Sequence, residues 1–282
     1  MSSDFDTSQV NTWCPGCLNN VVLRSVKKTL TALAESGVNK RNLVAVADIG
    51  CAGKFYDYLN VNGFYALHGR ALPTAFGIKM ANPELKVLAF LGDGGAYAEG
   101  LNHLVHLARL NPDLTALVLN NRIFALTIGQ VTPVTEKGYR GSTTPEGSVD
   151  SPYNPLSVAL SAQASFIARV SPLDPASMEA VITKAINHKG FSLVEVIQPC
   201  ITFRLSDLQR LKEKCYSVAG HQEGDYLKAR EVIESWNYEN GRIPLGIFYR
   251  VNRPTWEERH QVRNWFRLKR RIDKSALKKE WR

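Results

Sequence analysis

The chain alternates short apolar runs with segments of helical periodicity, and this alternation constrains its fold more than any other feature. Three runs are almost wholly apolar and are followed by Gly or Asn: residues 43–49, 86–91 and 114–119. Runs of this kind are typical of strands that are buried on both faces of a parallel sheet. We therefore expect three neighbouring core strands.

Helical spacing between two of these runs predicts how the strands are connected. Leu101, Leu104, Val105 and Ala108 recur at that spacing, so residues 86–119 are predicted to form a strand, a crossover helix and a parallel strand. A helix within 177–189 and a strand at 192–197 extend the alternation. The predicted fold class is α/β, a doubly wound and mostly parallel sheet with helices on both faces.

Two other segments depart from this pattern. Residues 131–156 are rich in Thr, Ser, Gly and Pro, and so long an irregular stretch in a compact domain is usually a functional lid or part of a contact between subunits. Residues 203–240 are charged and helical in character, and 242–249 return to a strand pattern.

Charge separates the carboxyl-terminal segment from the rest. The net charge is +9, but residues 251–282 alone contain 11 basic and 4 acidic side chains. We therefore divide the chain into an α/β domain, 1–250, and a basic segment containing aromatic residues, 251–282. A nearly neutral domain argues against a nucleic-acid interface over the whole surface.

Composition and the amino-terminal residues bear on location. No stretch approaches the apolar length of a membrane span, which excludes a membrane-embedded protein. Residues 1–11 are polar, carry two Asp and resemble neither a secretory signal nor a transit peptide. We expect a cytoplasmic protein.

Four of the five cysteines lie in short motifs: Trp13-Cys14-Pro15-Gly16-Cys17, Gly50-Cys51-Ala52-Gly53-Lys54 and Gln198-Pro199-Cys200. An odd number of cysteines without an export signal argues against a disulfide framework. A C-x₂-C turn can bring two thiolates to one metal centre, and two distant cysteines can complete the set. Spacing alone leaves open an iron–sulfur cluster, a zinc site, or a redox pair with two ordinary buried cysteines. Cys215 has no such context and is expected to be free.

A second group of residues follows two predicted strands. Gly92-Asp93-Gly94-Gly95 comes after one strand and Asn120-Asn121 after the next. Both fall at the carboxyl edge of the sheet, where a glycine turn lets a diphosphate approach the backbone and carboxylate and amide oxygens can bind Mg²⁺. His68 also stands beside a glycine, whereas His103 and His106 are interpreted as the polar face of the crossover helix.

Together these motifs resemble a known family. Gly-Asp-Gly followed by Asn-Asn looks like the thiamine diphosphate signature, and five further motifs occur in the family's order: Trp-Cys-Pro-Gly-Cys, Gly-Cys-Ala-Gly-Lys, His-Gly-Arg-Ala-Leu-Pro, Leu-Thr-Ile-Gly-Gln and Gln-Pro-Cys. From Trp13 to about Tyr249 the chain resembles the β subunit of 2-oxoacid:ferredoxin oxidoreductases. The resemblance implies the thiamine diphosphate-binding form of the α/β fold and favours iron–sulfur over zinc.

The resemblance also implies a set of cofactor ligands. One [4Fe–4S] cluster would be bound by Cys14, Cys17, Cys51 and Cys200. Mg²⁺ would be bound by Asp93, the side chain of Asn121 and the backbone carbonyl of Ile123. Thiamine diphosphate would contact Ile49, Gly50, Cys51, Ala52, His68, Gly94, Gly95, Ala125 and Leu126.

The implied reaction is the oxidative decarboxylation of a 2-oxoacid with coenzyme A and ferredoxin. His68 is the implied catalytic side chain, Lys54 would bind the far carboxylate of 2-oxoglutarate, and Leu126 would line the substrate pocket. In the family the site is completed by a glutamate from the other subunit. We therefore expect an alpha (or alpha–gamma) partner and no activity from this chain alone.

Four positions depart from the family pattern: Leu18, Gly95, Arg122 and Ile128. None of them removes a metal ligand, but they permit an altered substrate specificity.

Three other functions fit the sequence less well. A dehydrogenase is disfavoured because no Gly-x-Gly-x-x-Gly opens a helix after a strand. A zinc-binding module explains the cysteines but not the Gly-Asp-Gly and Asn-Asn pair. Nucleic-acid binding would use the aromatic residues of the basic segment, for which we favour partner docking. These aromatic residues are Trp256, Trp265, Phe266 and Trp281.

Overall fold

The fold is built around one large sheet. A computed structural model describes residues 4–218 and 220–265. The strands are β1 (Leu43–Ala47), β2 (Asn62–Tyr65), β3 (Lys86–Gly92), β4 (Leu114–Asn120), β5 (Ile123–Phe124), β6 (Gln130–Val131), β7 (Phe166–Val170), β8 (Phe191–Ile197), β9 (Cys215–Ser217) and β10 (Ile243–Arg250). Eight of these form a sheet in the order β2-β1-β3-β4-β8-β7-β10-β9, and β5 pairs with β6 in a separate ribbon.

Strand direction confirms the predicted fold class. Every neighbouring pair in the large sheet is parallel except β7 and β10, which are antiparallel. The predicted strand–helix–strand unit is present as β3, a helix at Leu101–Leu110 and β4. The predicted strand at 43–49 ends two residues early, at Ala47, so that Asp48 and Ile49 begin a turn.

Helices cover both faces of the sheet. They are α1 (Asn19–Glu35), α2 (Phe55–Tyr58), α3 (Ala71–Ala81), α4 (Leu101–Leu110), α5 (Pro155–Ser161), α6 (Pro175–Asn187), α7 (Asp207–Lys214), α8 (Tyr226–Glu234) and α9 (Trp256–Arg259). One apolar cluster packs α3, α4, α5 and α8 on the sheet, and a second packs α1, α2 and α6 on the opposite face. The apolar run of β1 serves both clusters, because Val44 and Val46 point to the first and Leu43 and Ala45 to the second.

The segment predicted as a lid or as part of a contact between subunits runs from β6 to α5. Between them the chain forms turns and an isolated bridge between Gly141 and Thr144. Two side chains of this segment contact the rest of the domain. Thr132 donates a hydrogen bond to Asp93, and Glu136 forms an ion pair with Arg122. Its role at a lid or an interface stays a prediction.

The described part of the basic segment lies against the domain. Trp256 packs edge-on against Phe76 with ring centroids 5.5 Å apart, and the carboxylate of Glu257 accepts a hydrogen bond from the Asp113 amide at 3.0 Å. Of the other predicted aromatic residues, Phe266 and Trp281 lie outside the described residues. Within residues 4–218 and 220–265, the helices are too short or too polar to cross a membrane.

Candidate active site

A cleft opens at the carboxyl ends of three neighbouring strands. The turns that follow β1, β3 and β4 converge there, as expected for a parallel sheet. The lining consists of Asn19, Ile49, Gly50, Cys51, Ala52, His68, Gly92, Asp93, Gly94, Gly95, Leu119, Asn121, Ile123, Phe124, Ala125, Leu126, Thr127 and Gln198. The structure thus brings together every residue that the sequence predicted to contact thiamine diphosphate or magnesium.

Asp93 is the carboxylate of this cleft, and its side chain is buried. One oxygen accepts a hydrogen bond from Thr132 Oγ1 at 2.7 Å, and the other accepts from the Asn121 amide at 3.3 Å. Burial raises the pKa of Asp93 to about 7, against the opposing effect of the Thr132 hydrogen bond. A cation at this carboxylate would favour its charged form.

The donor atoms around Asp93 fit a magnesium ion. A carboxylate, an amide oxygen and a backbone carbonyl are the oxygen ligands that this ion prefers. Asn121 and Ile123 are held close together, because the Asn121 side chain oxygen accepts a hydrogen bond from the Ile123 amide at 3.1 Å. Thr132 was not predicted, since it lies in the irregular segment whose path the sequence does not reveal.

Two glycines bring the backbone to the surface of the cleft. A Cβ atom at Gly94 would lie 2.0 Å from Phe124 Cε1, and one at Gly95 would lie 1.7 Å from Asp48 Oδ2. Neither position has room for a side chain. Both glycines are buried in the wall of the cleft, and a backbone without side chains is what the close approach of a diphosphate requires.

His68 enters the cleft from the loop between β2 and α3. Its Nδ1 lies 3.4 Å from a carboxylate oxygen of Glu99, and its ring centroid is 5.9 Å from that of Phe124. The next residue, Gly69, has a φ of +69°, and a Cβ there would meet Glu99 at 2.5 Å. The tight turn that presents His68 therefore depends on glycine. Glu99 was not predicted.

The first cysteine pair sits on a tight turn. The Cys17 amide donates to the Cys14 carbonyl at 3.0 Å, with Pro15 and then Gly16 at the two central positions. Gly16 has a φ of +79°, as the third position of a type II turn requires. The sequence Cys-Pro-Gly-Cys thus specifies its own turn.

Trp13 joins this turn to the cleft. Its Nε1 donates to the Cys51 carbonyl at 2.8 Å. Its ring packs against Phe55 and Tyr58 of α2, with centroids 5.3 and 4.7 Å away. Cys51 also lines the cleft. The four cysteines predicted to bind the cluster, which we call the four-cysteine set, therefore share a residue with the cofactor cleft. They are Cys14, Cys17, Cys51 and Cys200.

Cys200 completes the set from the end of β8. Two residues further on, Thr202 Oγ1 donates to Cys14 Sγ at 3.2 Å, which places this loop against the first turn. Burial raises the pKa values of Cys17 and, to about 11, of Cys51, and the neighbouring cysteines of the set contribute to both shifts. The four thiols therefore lie close enough to interact. Cys215 lies apart, on β9.

The four cysteines offer thiolates, the ligands that both a [4Fe–4S] cluster and a zinc ion accept. Among residues 4–218 and 220–265, the structure contains no group of three or more Cys, His, Asp or Glu side chains that could hold a metal ion. The preference for iron–sulfur over zinc stays a prediction.

Lys54 lies outside the cleft, at the start of α2. Its Nζ donates to the Thr12 carbonyl at 2.9 Å, beside the Trp13-Cys14 turn. Its positive charge opposes the rise in the pKa values of Cys17 and Cys51. The structure therefore places Lys54 at the cysteine end of the site.

Two departures from the family pattern have a visible structural context. Arg122 is buried and has a φ of +61°, and its guanidinium pairs with Glu136 and Asp207. Ile128 has a φ of +71° and an exposed side chain, and it follows Thr127 of the cleft lining.

Comparison with known proteins agrees with this architecture. Residues 48–196 match the model of the thiamine pyrophosphate enzymes, C-terminal TPP binding domain, and residues 200–264 match that of the C-terminal part of the pyruvate ferredoxin oxidoreductase beta subunit. The fold and the cleft thus define a thiamine diphosphate enzyme. More particularly, the chain belongs to the beta subunits of the 2-oxoacid:ferredoxin oxidoreductases and is one component of a multi-subunit oxidoreductase.

Three similar proteins support this assignment. The 2-oxoacid:ferredoxin oxidoreductase 1, subunit beta, of Aeropyrum pernix is 34% identical over 93% of this chain and 85% of its own length. The 2-oxoglutarate oxidoreductase subunit KorB of Mycobacterium tuberculosis is 39% identical over 75% of this chain, which spans 56% of that relative. A solved structure of 2-oxoglutarate:ferredoxin oxidoreductase from Magnetococcus marinus, with 2-oxoglutarate, coenzyme A and succinyl-CoA bound, superimposes with a TM-score of 0.88 at 28% identity. That superposition covers 99% of this chain and 95% of the other.

Proposed function

We propose that this chain, assembled with its alpha subunit, carries out the coenzyme A-dependent oxidative decarboxylation of a 2-oxoacid. The acid loses CO₂, its acyl group passes to the thiol of coenzyme A, and two electrons pass through a [4Fe–4S] cluster to ferredoxin. Thiamine diphosphate, when bound, supplies the electron sink for decarboxylation.

The observation that carries this proposal is that Cys51 belongs to two groups of residues at once. It lines the cleft that holds Asp93, Asn121 and the glycine turn, and it belongs to the four-cysteine set. An electron carrier bound by those thiols would therefore adjoin the cofactor. This chain's part is to bind the diphosphate through Gly94, Gly95 and Mg²⁺ and to hold the cluster beside it.

The substrate is proposed to be 2-oxoglutarate or a range of 2-oxoacids, with pyruvate as a further candidate. Relatives named for 2-oxoglutarate and for 2-oxoacids in general support both choices. Lys54 is the proposed partner of a second substrate carboxylate. Lys54→Ala is expected to raise the KM for 2-oxoglutarate and to leave that for pyruvate unchanged. Equal effects on both acids would defeat this role.

The cluster is tested by metal analysis of the complex after anaerobic purification with its partner subunit. We expect about four irons and four acid-labile sulfides for the four-cysteine set. Cys51→Ser should lose iron and sulfide, whereas Cys215→Ser, at another half-buried cysteine, should retain both. Zinc without sulfide in the unaltered complex would overturn the electron-transfer function.

A further inference from the structure

A buried carboxylate that the proposed chemistry does not use lies directly behind the cleft. Asp48 follows the last residue of β1 and is completely buried, and its amide bonds to the Phe90 carbonyl at 2.8 Å. Its Oδ1 accepts a hydrogen bond from the Gly69 amide at 2.9 Å. Its Oδ2 has no hydrogen-bond partner among the described residues, although it is buried.

The first oxygen acts on the turn that presents His68. Gly69 directly follows His68, so the bond from its amide to Asp48 fixes the backbone of the turn to the end of β1. This contact links the sheet to a residue of the cleft wall.

The second oxygen points to the glycine turn. A Cβ built on Gly95 would lie 1.7 Å from Asp48 Oδ2 and 3.6 Å from His68 Cε1. The Asp48 carboxylate therefore occupies the space that a side chain at position 95 would fill. Asp48 Oδ2 and His68 Cε1 therefore both border the position that a Cβ at residue 95 would take.

Burial of the Asp48 carboxylate lowers the stability of the cofactor-free fold. Burial raises the pKa of Asp48 to about 6, against the opposing effect of His68. The other titratable groups that act on it are Glu99, which ends the π-helical segment Gly95–Glu99 after β3, and Tyr65, from β2. A buried carboxylate with an unpartnered oxygen destabilises the cofactor-free fold near neutral pH. Such costs are typical of functional sites.

We propose that Asp48 is a positioning residue of the cofactor site, which fixes the His68–Gly69 turn with one oxygen and places the other where a side chain at position 95 would reach. This inference rests on the proposed function, because His68 is a proposed contact of thiamine diphosphate. The carboxylate comes from the residue that follows β1, and it fills the side of Gly95 where a Cβ would lie.

The test measures the binding of thiamine diphosphate with Mg²⁺ to the cofactor-free complex by calorimetry. Asp48→Asn keeps an acceptor for Gly69 and removes the charge, and we expect about tenfold weaker binding because a neutral hydrogen bond to the turn replaces a charge-assisted one. Asp48→Gly should bind more weakly still. Asp174→Asn is the matched control. Asp174 is the N-cap of α6 and does not line the cleft, and Asn caps a helix as well as Asp does.

A double variant tests the position of the carboxylate. Gly95→Asp alone should abolish binding, since its Cβ meets Asp48 Oδ2. Asp48→Gly combined with Gly95→Asp should bind more tightly than either single variant, because the same point again holds one carboxylate. The inference is overturned if Asp48→Asn and Asp48→Gly both bind within twofold of the unaltered complex, or if the double variant is no better than the singles.

Thermal unfolding of the cofactor-free complex separates positioning from a merely structural role. Because folding raises the pKa of Asp48 from its ordinary value of about 4 to about 6, its ionisation destabilises the fold progressively between about pH 4 and pH 6, and fully above that range. Asp48→Asn, with His68, Glu99 and Tyr65 retained, should therefore raise the Tm at pH 8. That gain should shrink as the pH falls through about 6 and disappear below about pH 4. A lower Tm at pH 8 would indicate a structural residue and overturn the inference. Failure of the unaltered complex to bind thiamine diphosphate would instead refute the proposed function, and the inference with it.

Discussion

At the scale of single residues, the cleft depends on a position where no side chain fits. Gly94→Ala would place a methyl group 2.0 Å from the ring of Phe124, which itself lines the cleft. The ring must move towards the space where the cofactor is proposed to bind. We expect at least tenfold weaker binding of thiamine diphosphate and a loss of about 1–3 kcal/mol in the free energy of unfolding. Calorimetry and urea unfolding measure the two effects.

Gly77→Ala is the control for this prediction. Gly77 lies inside α3, and a Cβ there would meet no atom within 4 Å. Alanine should stabilise the helix by about 0.5–1 kcal/mol and leave cofactor binding unchanged. Unaltered binding by Gly94→Ala would contradict the assignment of Gly94 to the diphosphate site.

The contrast between Asp93 and Asp48 shows what a single residue reveals from sequence alone. Asp93 stands between glycines after an apolar run, so its place at a strand end was predictable. Asp48 sits inside a run that was predicted to be strand to residue 49, and nothing adjacent in sequence reveals its contact with Gly69. That contact depends on how the loop between β2 and α3 folds back, which is long-range information.

At the scale of secondary-structure elements, buried ion pairs join three loops around the cleft. We call Arg122, Glu136, Arg204 and Asp207 the ion-pair cluster. Arg122 bonds to Asp207 at 2.5 Å and to Glu136 at 3.1 Å, and Arg204 bonds to Asp207 at 2.6 Å and also pairs with Glu136. The cluster connects the turn after β4, the irregular segment after β6 and the loop that follows Cys200. It therefore couples the proposed magnesium loop to the proposed iron–sulfur loop.

Removal of one carboxylate from the ion-pair cluster should be costly. Asp207→Asn leaves two buried guanidinium groups without full compensation, and we expect the free energy of unfolding to fall by about 3–5 kcal/mol. Glu234→Gln breaks the exposed pair with Arg230 on α8 and should cost only about 0.3–0.5 kcal/mol. Urea unfolding of both variants gives the comparison. Similar small losses would show that the ion-pair cluster contributes little to stability.

The ion-pair cluster also predicts how stability depends on pH. Burial acts to raise the pKa values of Asp207 and Glu136, but the guanidinium groups of Arg122 and Arg204 hold both below their ordinary range. A carboxyl whose pKa is lowered on folding stabilises the fold above its ordinary pKa and loses that contribution as pH falls through the lowered value. The difference in unfolding free energy between the unaltered protein and Asp207→Asn should therefore shrink below about pH 4. A difference that stays constant down to pH 2 would contradict the assignment.

The elements that the sequence predicted correctly are those whose hydrophobic pattern fits only one kind of secondary structure. The run at 86–119 defined β3, α4 and β4 because apolar strands and a helical repeat leave little freedom. The ion-pair cluster was not predictable, since Arg122, Glu136 and Asp207 are separated by loops whose paths are not periodic. Likewise, the pattern at 242–249 predicted a strand but not that β10 would run antiparallel to β7.

At the scale of the whole molecule, the lining of the cleft offers one carboxylate among residues 4–218 and 220–265. That carboxylate is Asp93, and Glu99 contacts His68 without lining the cleft itself. The resemblance implies that a glutamate of the other subunit activates the cofactor. On one side the cleft ends at exposed apolar side chains, Leu126 and Ile128. Such side chains suit a surface that a partner covers.

The last prediction follows from this incomplete cleft. The purified chain alone should form no acyl-CoA from any 2-oxoacid and should reduce no ferredoxin, whereas addition of the separately purified alpha subunit should restore both activities. The expected reason is a missing general base and not misfolding, because the proposed ligands of the diphosphate and of the cluster all lie on this chain. Iron content and circular dichroism of the isolated chain serve as the control for folding. Acyl-CoA synthesis by the chain without its partner would contradict this prediction and show that a carboxylate of this chain activates the cofactor unaided.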